Sequence, residues 1–148
     1  MDDNTVVIVA AGSAWPLYQT CDAYVCPVGR TFRDAGRLGF YSGRTIHGVA
    51  ARIEHVEPSV EMSEAEAARL CLSLDPREQR VGQAVQAAVA SGYADVTHNQ
   101  VFLLSSPKSL ATVTFPGIRH EGPSAWTQKW RYRALADLRA ATTTADIP

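Results

Sequence analysis

Leu38-Gly39-Phe40-Tyr41-Ser42-Gly43-Arg44-Thr45-Ile46-His47-Gly48-Val49-Ala50-Ala51-Arg52-Ile53-Glu54-His55-Val56 decides the fold class. Aromatic and β-branched residues suit a pleated, half-buried surface, and they lie on both sides of Ser42-Gly43-Arg44, a tight turn with glycine for the unusual dihedral. The spacing predicts a β-hairpin with arms over Leu38–Tyr41 and Thr45–Val56. In the second arm Ile46, Val49, Ala51, Ile53 and Val56 alternate imperfectly, which predicts a bulge near Gly48.

Working outward, Thr5 to Ala11 is a β-branched apolar run closed by Gly12-Ser13, the pattern of a buried strand. Asp22 to Val28 reads as a second short strand, and the polar segment Arg30 to Arg37 as a loop carrying three arginines. Beyond the hairpin, two helix starts are marked by Ser63 with Glu66 and by Asp75-Pro76 with Glu78. The second helix places Val81, Ala84, Val85, Ala88 and Val89 on one face and ends at Gly92. Val101–Leu104 and Thr112–Phe115 read as strands around the turn cluster Ser105-Ser106-Pro107. Trp126 to Leu138 reads as a strand or loop leading into a short terminal helix.

Strands at both ends of a helical middle predict an α+β fold with a mainly antiparallel, bent sheet or partly open β-barrel and flanking helices. A doubly wound parallel sheet would need helices between the first four segments, which leave little room for them. At 148 residues, nearly half of them apolar, the chain is expected to form one domain over 1–148.

The formal net charge is -1, so bulk attraction to a polyanion is excluded and any basic surface must be local. Twelve arginines stand against two lysines, Lys108 and Lys129. Guanidinium pairs with phosphate and stacks on aromatic rings, although a GC-rich genome also favours arginine. The acidic N-terminal residues lack the basic head of a signal peptide, and no apolar run reaches membrane-spanning length. Cys21, Cys26 and Cys71 form no disulfide framework. These features together predict a cytoplasmic protein without membrane partners.

Nucleotide-binding glycine motifs are missing, and His47, His55, His98 and His120 are scattered outside any metal-binding spacing. Cys21 and Cys26 lack zinc-knuckle spacing. No cofactor and no metal are expected. Cys26 reads either as a thiol activated by nearby arginines or, better, as a small buried strand residue.

The positive signal is Arg30, Arg33, Arg37 and Arg44 interleaved with Tyr24, Phe32, Phe40 and Tyr41, with only Asp34 opposing them in charge. Such a patch suits phosphate contacts, and the aromatics suit stacking on a base lifted from its strand. The plainer reading has the aromatics in the core and the arginines solvated. Trp15, Tyr18, Trp126 and Trp130 form a looser set suited to a core or a pocket; Trp15 precedes Pro16 in a loop-like segment, and the spacing of four would put Trp126 and Trp130 on one face if that segment were helical.

Leu38-Gly39-Phe40-Tyr41-Ser42-Gly43 with Ile46, Gly48-Val49-Ala50 and Val56-Glu57-Pro58 resembles the strand–turn–strand of EVE- and ASCH-type domains of the PUA-like superfamily. That resemblance implies a small bent sheet or barrel with a pocket for a flipped, often modified, nucleobase, and an association with defence or restriction effectors. It places Tyr41, Ser42 and Gly43 near the pocket mouth. The tryptophan-and-lysine signature of EVE domains is absent from the N-terminal strand.

The expectation is a non-enzymatic module that binds RNA or DNA. Arg30, Arg33, Arg37 and Arg44 would hold phosphates, and Trp15, Tyr18, Tyr41, Ser42, Trp126 and Trp130 would line a base pocket; a partner effector protein fits the same reading. The alternatives are a small hydrolase or transferase of phosphorylated or nucleotide-like compounds, using His47, His120 or Cys26, and a pure interaction subunit.

Overall fold

The computed structural model describes residues 2–33, 35–92 and 97–147. The fold is α+β, with mostly antiparallel strand pairing. In chain order the elements are β1 (Asp2–Ala10), α1 (Ala14–Cys21), β2 (Ala23–Pro27), β3 (Ala35–Ser42), β4 (Thr45–Ile46), β5 (Val49–Glu61), α2 (Glu64–Cys71), α3 (Pro76–Ala90), β6 (His98–Leu104), β7 (Val113–Thr114), β8 (Ile118–Arg119), β9 (Trp130–Ala134) and α4 (Leu135–Ala140). Among the described residues β2 and β9 each have one strand neighbour, so the strands do not close into a barrel.

Contacts group the chain into two compact units. Unit 1 comprises Met1–Trp15, Phe32–Ile53 and Ser105–Pro148; unit 2 comprises Pro16–Thr31 and Glu54–Leu104. In unit 1, β1 lies between β3, parallel to it, and β9, antiparallel to it. Val6, Val7, Ile8 and Val9 are all fully buried, which is why this strand reads as an unbroken apolar run rather than an alternation. The core of unit 1 gathers Val6, Ile8, Tyr41, Ile46, Ile118, Trp126 and Leu138.

The expected hairpin forms between β3 and β4, with Tyr41 opposite Ile46 and Ser42 opposite Thr45. Gly43 (φ 56°) and Arg44 (φ 60°) are both left-handed, the signature of a type I′ turn whose twist matches that of the strands. The second arm breaks where the bulge was expected. β4 ends at Ile46 and β5 starts at Val49, because at Gly48 two backbones touch: a Cβ there would stand 1.9 Å from the Phe115 carbonyl oxygen.

Two readings need correction. Arg37 is not in a loop, since β3 begins at Ala35 and pairs Arg37 with Arg52. Trp15-Pro16 is not a loop either but the start of α1; proline in the first helical turn forfeits no intrahelical hydrogen bond.

In unit 2, β2, β6 and the C-terminal part of β5 are neighbours in that order. Their core of Val25, Val60, Met62, Val101 and Leu103 is shared with Leu70 of α2 and Val81, Ala84, Val85 and Ala88 of α3. Both helix starts lie where the capping residues put them. Ser63 Oγ accepts the Glu66 N–H at 3.1 Å, and Asp75 Oδ1 accepts the Arg77 N–H at 2.9 Å. No helix among the described residues is long and apolar enough to cross a membrane.

Candidate functional site

The near-zero net charge conceals a partition. Unit 1 contains ten of the fourteen Lys and Arg but six of the fifteen Asp and Glu, a formal charge of +4, whereas unit 2 has four and nine, a charge of -5. The positive formal charge is therefore concentrated in unit 1.

At the hairpin end of unit 1, Ser42 Oγ and His47 Nε2 are 2.7 Å apart. The His47 imidazole lies flat against the Trp15 indole, with centroids 4.1 Å apart and planes 2° from parallel, and the same indole is tilted against Phe40. The His47 backbone N–H donates to the Phe40 carbonyl at 2.8 Å. Burial holds the His47 pKa below the ordinary imidazole value, so the ring is neutral at physiological pH.

The second feature is β9. Alternation along the strand sends Arg131 and Arg133 to one side, opposite Ile8 and Val6 of β1, and Trp130 and Tyr132 to the other. Both guanidiniums meet the Trp126 ring, Arg131 at 4.8 Å and Arg133 at 5.5 Å from its centroid. Neither forms an ion pair among the described residues. The Arg133 Nη1 donates to the Tyr132 carbonyl, while its Nε is buried without a hydrogen-bond partner. Burial first, and Arg131 second, lower the Arg133 pKa. On the other side of the strand Arg33 stacks on Tyr132 at 4.8 Å and Phe32 meets Trp130 edge-on.

Tyr41 joins the two features. Its hydroxyl accepts the Trp126 backbone N–H at 3.1 Å, and its ring lies against Trp126 and edge-on to His120. His120 Nδ1 bonds Thr144 Oγ1 and its backbone N–H donates to the Arg44 carbonyl at 2.7 Å. The exposed Arg44 guanidinium donates to the Gly122 carbonyl.

Measured against the expected phosphate contacts, Arg33 and Arg44 are exposed on unit 1. Arg37 is buried, and its guanidinium donates to the carbonyls of Asp3 (2.9 Å), Ala50 (3.1 Å) and Ala111 (2.7 Å), so its Nε and Nη1 tie three segments together. Arg30 belongs to unit 2, where it donates to the Tyr24 hydroxyl at 2.7 Å. Asp34 lies outside the described residues.

Of the expected base pocket, Trp15, Tyr41, Ser42, Trp126 and Trp130 belong to unit 1, and Tyr18 to unit 2. Tyr18 is fully buried, and Tyr41 and Trp126 are nearly so, which makes them core supports rather than open stacking faces; Trp15, Ser42 and Trp130 are half-buried. The helical spacing of Trp126 and Trp130 is not realised, because Trp130 opens a strand. Cys26 is buried, and desolvation pushes its thiol up to about 11, so the better of its two readings is the structural one.

Arg131 and Arg133 were absent from the expected site. Their signal was present in the alternation Trp130-Arg131-Tyr132-Arg133, which marks a strand with one basic and one aromatic side. No family model matches this sequence, and no curated protein matches it.

Proposed function

We propose that unit 1 is a nucleic-acid-binding module of PUA-like type, in which Arg33, Arg44 and Arg131 meet phosphates and the half-buried rings of Trp15 and Trp130 offer π-surface to a base. The observation that carries this reading is the concentration of positive charge in unit 1, which also contains all three tryptophans. Guanidiniums paired with indole and phenol rings rather than with carboxylates keep their charge available to an anion. The partition of charge resolves the objection that a chain of net charge -1 has no attraction for a polyanion. A partner effector and a cytoplasmic setting belong to the same reading.

The test is fluorescence anisotropy with labelled single- and double-stranded RNA and DNA, with and without base modifications, over a salt series. Affinity is expected to fall linearly on logarithmic axes, with a slope of roughly -0.7 to -0.9 per phosphate contacted. The triple variant R33A/R44A/R131A should bind more weakly and flatten that slope by about two to three units. No binding to any oligonucleotide at low salt removes the reading.

A further inference from the structure

We infer that Ser42 and His47 form a nucleophile–base pair that hydrolyses small carboxylic esters. This inference stands apart from nucleic-acid binding and neither requires nor excludes it.

The geometry points to it in three ways. First, the Oγ to Nε2 separation of 2.7 Å lies within the reach over which a proton passes from hydroxyl to imidazole as the oxygen attacks. Second, the contacts that position the imidazole come from groups other than carboxylates. The stacked Trp15 indole fixes the ring plane, and the His47 backbone N–H is anchored on the Phe40 carbonyl, so the nitrogen stays aimed at Ser42. Trp15 and Ser42, which touch the ring, are uncharged, and burial favours the neutral, proton-accepting form of the imidazole.

Third, Ser42 is the last residue of β3, and the next two residues are the left-handed pair Gly43 and Arg44. Among the described residues neither turn N–H has a protein acceptor. Apart from Gly43 itself and its chain neighbours Ser42 and Arg44, no heavy atom comes within 4 Å of the position a Gly43 Cβ would take, so space is open beside the nucleophile. Backbone N–H groups directly after a nucleophilic serine are where acyl-transfer sites gather the charge of the tetrahedral intermediate.

The chemistry balances without a co-reactant other than water. Ser42 Oγ adds to the ester carbonyl carbon while His47 Nε2 takes its proton. Collapse of the tetrahedral intermediate breaks the bond to the leaving alcohol, which takes the proton from the imidazolium and leaves an acyl-Ser42. Water then adds to that ester with His47 again as base, releasing the carboxylic acid and restoring the Ser42 hydroxyl. The pair lies at a surface turn, so the acyl group is expected to be short.

The experiment combines 4-nitrophenyl acetate hydrolysis with labelling by a fluorophosphonate probe and mapping of the adduct by mass spectrometry. Wild-type protein should release nitrophenolate and carry one adduct, on Ser42; S42A should do neither. H47Q should label on the order of 100-fold more slowly. The wild-type labelling rate should rise with pH through a midpoint below 6.5, the ordinary imidazole value, and then level off. A Ser42 that stays unlabelled in folded wild-type protein, or an H47Q variant that labels at the wild-type rate, overturns the inference. If either variant fails to fold, the wild-type adduct position and its pH midpoint still decide.

Discussion

Trp15 covers one face of His47 in a parallel stack at 4.1 Å, so the imidazole is held between an indole on its face and the Ser42 hydroxyl at its edge. A ring held this way is easier to keep neutral than to charge, because protonation would place a cation where water is partly excluded.

Its contribution to stability has a definite sign. The folded-state pKa of His47 lies below 6.5, so between the two values the unfolded chain binds more protons. The contribution is complete above 6.5 and is lost as pH falls through the folded value. Urea melts on either side of that window should show wild-type protein losing more stability on acidification than H47Q. Parallel curves for the two proteins would contradict the assignment.

Arg37 offers the largest single loss. R37M removes the donors for three backbone carbonyls at once, and is expected to lower unfolding free energy by about 2 to 4 kcal/mol. R33A, which loses only an exposed stack on Tyr132, should change it by no more than about 1 kcal/mol. Chemical denaturation of the two variants side by side measures the contrast, and equal effects would mean that the Arg37 bonds contribute little.

Gly48 tolerates no side chain. With the Phe115 carbonyl oxygen only 1.9 Å from the added Cβ, G48A must separate β5 from β7 at their first pair, Val49 and Thr114. A loss of about 1 to 3 kcal/mol is expected, together with faster amide exchange at Phe115, whose N–H donates to the Gly48 carbonyl at 3.0 Å. Unchanged exchange there would show the strands bending around the methyl group.

Arg44 sets stability against binding. R44G relieves a left-handed non-glycine residue, which should raise stability by about 0.5 to 1 kcal/mol once the lost guanidinium bond to Gly122 is deducted. The same change should weaken oligonucleotide binding and lower its salt slope by about one unit. Thermal melts and anisotropy on one preparation test both, and R44G binding as tightly as wild type would take Arg44 out of the interface.

Cys26, with a thiol pKa raised to about 11 by burial, should resist alkylation at neutral pH until the chain unfolds. Timed iodoacetamide labelling with peptide mapping checks this, with denatured protein as the positive control. Prompt labelling of the native state would reopen the activated-thiol reading.

What was legible in the sequence was local. The hairpin turn, both helix caps and the amphipathic face of α3 depend on residues within one turn of each other, and each lies where its side chains put it. The helix α1 was missed because Trp15-Pro16 looks the same whether the proline breaks a chain or starts a helix. The burial of Arg37 depends on carbonyls 34, 13 and 74 residues away along the chain, which no local pattern reports. Arg131 and Arg133 meet the Trp126 ring only once the chain is folded, and the Ser42–His47 contact reaches across the turn between β3 and β4.

The place of β9 beside β1 also orders events during synthesis. Val6 to Val9 pair with Arg133 to Trp130, so β1 waits for β9, the last strand among the described residues, before one of its edges is covered. Unit 2, by contrast, is complete in sequence once Leu104 has emerged. During synthesis every residue of the acidic unit is therefore available to fold while β1 still lacks the strand that covers this edge, a stage at which its aliphatic run is open to a chaperone.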